Sequence, residues 1–181
     1  MPNLNLEKFI KMKPVYPEEF KKKFLGEGEW VTELDYFPLC YKGYNAFIRR
    51  CLLMEASEKK SYFGGHLCGY VQIIKDHALF GKDFESCKNE FYINCHGGIT
   101  FNESDDKIHV IGFDCGHFND LIPSVDYLIK KIPGIREIQK KSKEICGKLW
   151  DSYLLKTYKN MEFCITQCKS IIDQLIDIEK N

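Results

Sequence analysis

The chain has 181 residues, 44% of them hydrophobic and 29% charged, and its 26 basic residues balance its 26 acidic ones. This composition is typical of one soluble globular domain and argues against a disordered or fibrous chain. A protein that binds a long nucleic acid usually carries an excess of basic residues, so the formal net charge of zero argues against such a partner.

The sequence indicates neither a membrane protein nor an exported one. No stretch approaches the roughly 20 apolar residues of a membrane-spanning helix, and the first residues lack a signal-peptide pattern. We therefore expect no membrane partner, a cytoplasmic location and reduced cysteines. The nine cysteines include no CxxC pair, the spacing that is typical of a structural zinc site.

Three zones are predicted within a single domain that spans residues 1–181. Residues 1–35 are mixed and charged, and the run PEEFKKKF predicts a helix with Pro17 in its first turn. The residue pattern of 36–118 predicts β-strands, whereas that of residues 119–181 predicts helices. The predicted fold class is α+β, an antiparallel sheet that is packed by C-terminal helices.

Two hairpins and an intervening strand are predicted in the β zone. Lys42 and Gly43 separate two strand-like runs, which predicts a tight turn. Residues 65–74 are rich in residues that favour strands. The segments EFYINCHGGITF at 90–101 and KIHVIGFDCGHF at 107–118 flank the turn-rich NESDD, which predicts a second antiparallel hairpin.

The last part of the chain predicts an amphipathic helix. Apolar side chains recur at spacings of three and four: Phe163, Cys164, Cys168, Ile171, Ile172, Leu175 and Ile176. The opposite face carries charges, without the dense basic character of a membrane-surface helix. We expect this helix to cover the sheet or to form a homo-oligomer with a second subunit.

The second hairpin carries the candidate site. A turn centred on residues 104–105 would place His96 opposite Phe113 and diagonal to Asp114, and Thr100 opposite His109. His117 and Asp120 would follow just past the strand end, where functional loops often begin.

Two histidines and two carboxylates at one end of a hairpin favour a site, although ordinary structural roles explain each residue singly. A His–Asp pair can act as a general acid or base. Two histidines and a carboxylate can hold a divalent metal. Alternatively, these groups bind a polar ligand by hydrogen bonds, together with Thr100, and the backbone of Gly97 and Gly98 approaches it closely.

The loop KDHALFGKDF at 75–84 adds a second candidate group. His77 and Lys82 on this loop could neutralise a phosphate if the loop lies beside the hairpin. Ordinary, solvated loop charges are the alternative explanation.

Three segments together resemble a family of small bacteriophage and prophage proteins. They are GYV followed by KDHALFGKDF at Gly69–Lys82, HGGITF at His96–Phe101 and GFDCGHFNDLIP at Gly112–Pro123. The resemblance covers about residues 36–180. Ala78 departs from the family pattern, which has proline after the histidine.

The resemblance implies a viral accessory protein that acts in the host cytoplasm. Small phage proteins of this kind often counter host defence, and several bind or cleave nucleotide immune signals. We therefore predict a protein that binds, and in its enzymatic form hydrolyses, a small phosphate-bearing ligand. The alternatives are a protein that only sequesters this ligand, and one that inhibits a host protein through its C-terminal helix.

In the enzymatic form, the sequence predicts a catalytic role for each ionisable group of the hairpin. His96 would be the acid or base, with Asp114 orienting it. His117 would be the second acid–base group, and Asp120 would orient it or help to hold a divalent metal.

Overall fold

A computed structural model describes most of the chain. The described residues are 5–54, 62–83, 92–134 and 156–180, with the single positions 137, 140, 141 and 144. Most of the stretch between residues 135 and 155, which the sequence predicts to be helical, lies outside the described residues.

The N-terminal segment is helical. Helix α1 spans Leu6–Lys11, and the side chain of Asn5 caps it by accepting the Lys8 N–H at 2.8 Å. Helix α2 spans Glu18–Leu25 and begins directly after Pro17, which confirms the helix predicted there. A single 3-10 turn at Glu29–Val31 then leads into the sheet.

A five-stranded antiparallel sheet forms the centre of the fold. Its strands are β1 (Tyr36–Tyr41), β2 (Tyr44–Met54), β3 (Tyr62–Ile73), β4 (Phe101–Ser104) and β5 (His109–Asp114), in the spatial order β1-β2-β3-β5-β4. The predicted α+β class is confirmed. The turn between β1 and β2 is the predicted one: Lys42 and Gly43 both have positive φ, 47° and 85°, as the favoured two-residue hairpin turn requires.

The register of the second hairpin differs from the predicted one. Phe101 pairs with Gly112, and Ser104 with His109, so His109 is not opposite Thr100. The Asp105 carboxylate accepts the N–H groups of residues 107 and 108, each at 2.8 Å. These bonds place the turn further along the chain than the NESDD pattern indicated.

The segment before β4 is also different from the prediction. Residues 92–100 form no strand, and the chain turns at Gly97 and Gly98, whose φ angles are 67° and 82°. His96 therefore has no partner in the sheet, and the predicted pairing of His96 with Phe113 is wrong. Phe113 pairs instead with Gly69 of β3.

Two helices follow the sheet, α3 at Pro123–Lys130 and α4 at Met161–Glu179. Helix α4 packs on β3, β2 and β1. It buries most of the predicted apolar face: Cys164, Cys168, Ile171, Ile172 and Leu175. The contact is close because Gly69 has no side chain; a Cβ atom there would lie 2.8 Å from the Cys168 sulfur and 2.4 Å from the Phe113 ring.

The other face of the sheet carries an aromatic cluster that α1 covers. Phe9 stacks on Phe101 with 4.8 Å between ring centroids, and its edge meets Tyr70 at 5.1 Å. The Arg49 guanidinium lies 3.8 Å from the centroid of the Phe9 ring. Among the described helices, none has the length and apolar character needed to cross a membrane.

Arg50 on β2 is the centre of a buried polar network, and only 2% of it is exposed. Its guanidinium donates to Asp35 Oδ1 at 2.5 Å and to Glu33 Oε2 at 2.9 Å. The Gly65 carbonyl and the Tyr158 hydroxyl accept further bonds at 2.7 and 2.8 Å. The charge is thus matched by two carboxylates and its donors are satisfied, as a buried guanidinium requires.

The network extends to the start of helix α4. Glu33 Oε1 accepts the Met161 N–H at 2.6 Å, and Glu33 Oε2 accepts the Tyr158 hydroxyl at 2.5 Å. On the other side, the Lys21 ammonium donates to Asp35 at 3.3 Å. Arg50 therefore joins α2, the sheet and the first turn of α4.

Replacing Arg50 by methionine is expected to lower the free energy of unfolding by about 3–5 kcal/mol, because buried carboxylates would lose their counter-ion. Urea unfolding followed by tryptophan fluorescence measures this change. The matched control is Lys42→Met, which removes an ion pair to Asp173 whose two side chains are about half exposed, so its unfolding midpoint should stay close to that of the parent protein. Equal losses in the two variants would contradict this role of Arg50.

Candidate functional site

His96 is held in place by a glycine turn and by helix α4. The Cys95 carbonyl accepts the Gly98 N–H at 3.0 Å, which closes the turn around His96 and Gly97. The His96 N–H donates to Gln167 Oε1 on α4 at 2.8 Å. Because both glycines have positive φ, a residue with a side chain would be strained at either position.

His117 and Asp120 lie on the turn that follows β5. The Asp120 N–H donates to the His117 carbonyl at 2.9 Å. Asp120 also forms an isolated parallel bridge with Thr157, whose carbonyl accepts the Leu121 N–H at 3.0 Å. The segment that leads into α4 thereby anchors this turn.

One oxygen of Asp120 accepts bonds from both histidines. His96 Nε2 lies 2.8 Å from Asp120 Oδ2, and His117 Nδ1 lies 3.3 Å from the same atom. The backbone N–H of His117 also donates to Oδ2, at 3.0 Å. By contrast, Asp120 Oδ1 is buried and has no hydrogen-bond partner among the described residues, an arrangement that costs free energy unless something else satisfies it.

The two imidazoles are accessible, although the carboxylate beneath them is not. The side chains of His96 and His117 are 22% and 32% exposed, whereas that of Asp120 is 1% exposed. The two rings are nearly perpendicular, with their centroids 5.2 Å apart. A small molecule in solvent can therefore reach the imidazoles but not the carboxylate that orients them.

The absence of a side chain at Gly97 leaves room for the His117 imidazole. A Cβ atom at Gly97 would lie 2.0 Å from both Cε1 and Nε2 of the His117 ring. Gly98 also has positive φ, but a Cβ atom there would meet nothing within 4 Å. The two glycines thus have different roles: both allow the turn, and only Gly97 makes room for the imidazole.

Asp114 lies beside this cluster but does not contact His96. Its Oδ1 atom is 4.0 Å from His117 Nδ1 and accepts the Gly116 N–H at 2.8 Å. Burial raises the pKa of Asp114, but hydrogen bonds from Gly116 and from the Thr100 side chain outweigh that effect, so the pKa is lowered overall. The structure thus places Asp120, and not Asp114, against His96.

His77 and Lys82 lie at the other end of β5 from Asp114, where Gly81 donates its N–H to the His109 imidazole. His77 is only 3% exposed. Its Nε2 atom is 3.0 Å from the Leu175 carbonyl, and its Nδ1 atom accepts the Leu79 N–H. The structure therefore does not bring His77 and Lys82 to the His96–Asp120 cluster.

Several residues around the cluster carry no signal in the sequence pattern. Phe163 meets the edge of His96 at 5.2 Å between ring centroids. The Lys159 ammonium is 5.2 Å from the Phe163 centroid, and the Lys156 ammonium is 5.7 Å from that of Phe118. Phe163, Lys156 and Lys159, like Gln167 and Thr157, belong to the last part of the chain, on α4 or on the segment that enters it.

No family model matches this chain, and neither a curated protein nor a solved structure does. The chemistry of the site must therefore be argued from its own atoms.

The arrangement of His96, His117 and Asp120 allows two kinds of chemistry. A buried carboxylate that accepts a hydrogen bond from each imidazole fixes the ring tautomers and prepares both rings for proton transfer to or from a ligand. One ligand atom from each of the three residues also lies within 4.8 Å of the others, a spacing that a metal ion can bridge.

Replacing Gly97 by alanine is expected to displace the His117 imidazole, because the new methyl group would overlap the ring. The matched change Gly98→Ala imposes a similar positive-φ strain of about 1–2 kcal/mol without that overlap. The imidazole resonances of His117, followed by NMR, should therefore shift in Gly97→Ala and stay close to their parent positions in Gly98→Ala. Unshifted resonances in Gly97→Ala would contradict this explanation.

Proposed function

We propose that the protein binds a small phosphate-bearing ligand at the His96–His117–Asp120 cluster and hydrolyses it. The observation that carries this proposal is the convergence of both imidazoles on one oxygen of a buried carboxylate. In this proposal His96 is the general base, His117 is the general acid, and Asp120 orients both.

The proton transfers follow from the contacts. A proton on His96 Nε2 that is donated to Asp120 leaves His96 Nδ1 as the basic atom. His96 takes a proton from water, whose oxygen attacks phosphorus as the bond to the leaving oxygen breaks. The leaving oxygen receives a proton from Nε2 of the protonated His117, the ring edge beside Gly97. Exchange with solvent then restores both imidazoles.

The electrostatic surroundings support an anionic ligand. Lys156 and Lys159 lie on the segment that enters α4, and their ammonium groups approach the rings of Phe118 and Phe163. Phe163 in turn contacts His96. The Lys159 ammonium therefore lies one aromatic ring away from His96, where its charge would attract a phosphate and stabilise charge that develops during hydrolysis.

The resemblance of the glycine turn and the β5 segment to phage proteins supports a nucleotide as the ligand. A nucleotide immune signal of the host is the kind of phosphate-bearing molecule that a phage accessory protein would remove. The proposed role is therefore anti-defence, exerted in the cytoplasm of the host.

A second arrangement of the same residues is favoured by Asp120 Oδ1, which is buried and has no hydrogen-bond partner among the residues that the structure describes. His96, His117 and the Asp120 carboxylate could together hold a divalent cation, whose charge would lie beside that oxygen. Such a cation would polarise a phosphoryl oxygen or activate a water molecule. In that arrangement the two imidazoles are ligands and not proton carriers.

The test is incubation of the full chain with a panel of linear and cyclic nucleotides. Chromatography of the supernatant before and after heat denaturation then separates bound, released and altered ligand. We expect an altered product, and turnover at least about a hundredfold lower in His96→Ala and Asp120→Asn. Asp114→Asn should lose less, because Asp114 does not touch His96, and Asp126→Asn on α3 is a control for the same chemical change.

The other outcomes of this experiment contradict the proposal in different ways. Unaltered nucleotide that is released only on heating would show sequestration in place of hydrolysis. A panel from which nothing is bound or altered would overturn the ligand class and favour a protein partner. Turnover in His96→Ala close to that of the parent protein would overturn the assignment of the base.

Chelation separates the two arrangements. In the acid–base arrangement, turnover should be unchanged after EDTA treatment and removal of the chelator. Loss of turnover that added Mg²⁺ or Mn²⁺, which favour oxygen and nitrogen ligands over thiolates, restores would assign the histidines as metal ligands.

A further inference from the structure

A second cluster of side chains lies on the face of the sheet opposite to α4. It depends on an irregularity in the pairing of β2 with β3. Arg50 pairs with Leu67, but Leu52 pairs with Gly64, so Cys51 faces one extra residue of β3. This is the geometry of a β-bulge, which redirects side chains at the end of a strand pair.

Cys51, His66 and Cys68 meet beside this bulge. Gly64 and Gly65, with φ of 109° and 88°, supply its unusual backbone. The two sulfur atoms and one ring nitrogen of His66 all lie within 4.8 Å of one another. Cys68 is 4% exposed, and Cys51 and His66 are partly buried.

One ring nitrogen of His66 lacks a hydrogen-bond partner among the described residues. Its Nδ1 atom is buried and has no hydrogen-bond partner in the part of the chain that is described. Its Nε2 atom lies near Gly116. A Cβ atom built on Gly116 would be 3.3 Å from this nitrogen and 3.1 Å from Asp114 Oδ1. Asp114 interacts electrostatically with His66. A proton on the Nε2 atom would point toward that side and would leave the lone pair of Nδ1 available to a metal.

The sulfur atoms are suited to the same role. Cys51 on β2 and Cys68 on β3 bring their sulfur atoms and a ring nitrogen of His66 within reach of one cation. The thiolate is the form of cysteine that binds metals. A bound cation would replace the thiol protons.

We infer that Cys51, His66 and Cys68 form a zinc site that is separate from the proposed hydrolytic cluster, with Asp114 as a positioning residue for His66. Two sulfur ligands and one imidazole are a set that Zn²⁺ prefers, with a fourth position for water or a ligand. The site would satisfy the buried His66 Nδ1 atom. Its ligands come from two different strands, so the sequence contains no CxxC spacing that would predict this site.

Cobalt substitution of the full chain tests this inference. The reduced protein is freed of metal with a chelator and titrated with Co²⁺, and the spectrum is recorded. Thiolate ligands give cobalt an intense charge-transfer band in the near ultraviolet, whereas imidazole and carboxylate ligands alone do not. We expect this band to saturate near one equivalent of Co²⁺ and to disappear when Zn²⁺ is added.

Variants separate this site from its surroundings. Cys51→Ser and His66→Ala should weaken or abolish the band, whereas Cys40→Ser, which changes an exposed cysteine, should retain it. Asp120→Asn should also retain it, so a failure of the proposed hydrolytic site leaves this test intact. Asp114→Asn should weaken Zn²⁺ binding by about 10- to 100-fold, as the loss of a residue that orients a metal ligand does.

Three results would overturn the inference. One is the absence of a thiolate band in the reduced, correctly folded protein. Another is a band that persists at full intensity in both Cys51→Ser and His66→Ala. The third is a Cys51–Cys68 disulfide, detected by mass spectrometry, in protein purified under reducing conditions and without bound metal.

Discussion

The buried guanidinium of Arg50 is the constraint on which the rest of the structure depends. A charge in the interior is tolerated only when counter-ions and acceptors surround it, and here they come from three separate parts of the chain. Asp35 and Glu33 precede the sheet, Gly65 belongs to the β3 bulge, and Tyr158 precedes α4. Satisfying one side chain therefore brings together the N-terminal segment, the sheet and the final helix.

The geometry of the His96–His117–Asp120 cluster depends on the same elements. Glu33 binds the first N–H of α4, and α4 supplies Gln167 to the backbone of His96. The segment that leads into α4 supplies Thr157, which forms a parallel β-bridge with Asp120. His96 and Asp120 are thus held by elements that the Arg50 network positions, although neither residue contacts Arg50.

Asp114 lies between the two clusters. On one side its carboxylate is 4.0 Å from His117, and on the other it is close to His66 through their shared neighbour Gly116. Its lowered pKa keeps it charged at neutral pH. Asp114 thus interacts electrostatically with one histidine of each cluster, His117 and His66.

Local patterns in the sequence were enough for the sheet, the first hairpin turn and the apolar face of α4. These features depend on alternation, on turn residues and on a helical period, all of which are visible within about a dozen residues. The pairing of His96 was not predictable in this way. Counting around the NESDD turn assumed a regular strand, whereas the hydrogen bonds of Asp105 moved the turn and Gly97 and Gly98 ended the strand.

The sequence by itself determined the α+β class and the residue types that the candidate site contains. Only the tertiary structure decided which carboxylate meets which imidazole: Asp120 is the partner of His96, and Asp114 is not. The tertiary structure alone also brought Cys51, His66 and Cys68 together, from two strands that meet at a bulge. The physical reason is that strand register and bulges arise from hydrogen bonds between distant segments, and a shift of one residue changes every neighbour that a side chain meets.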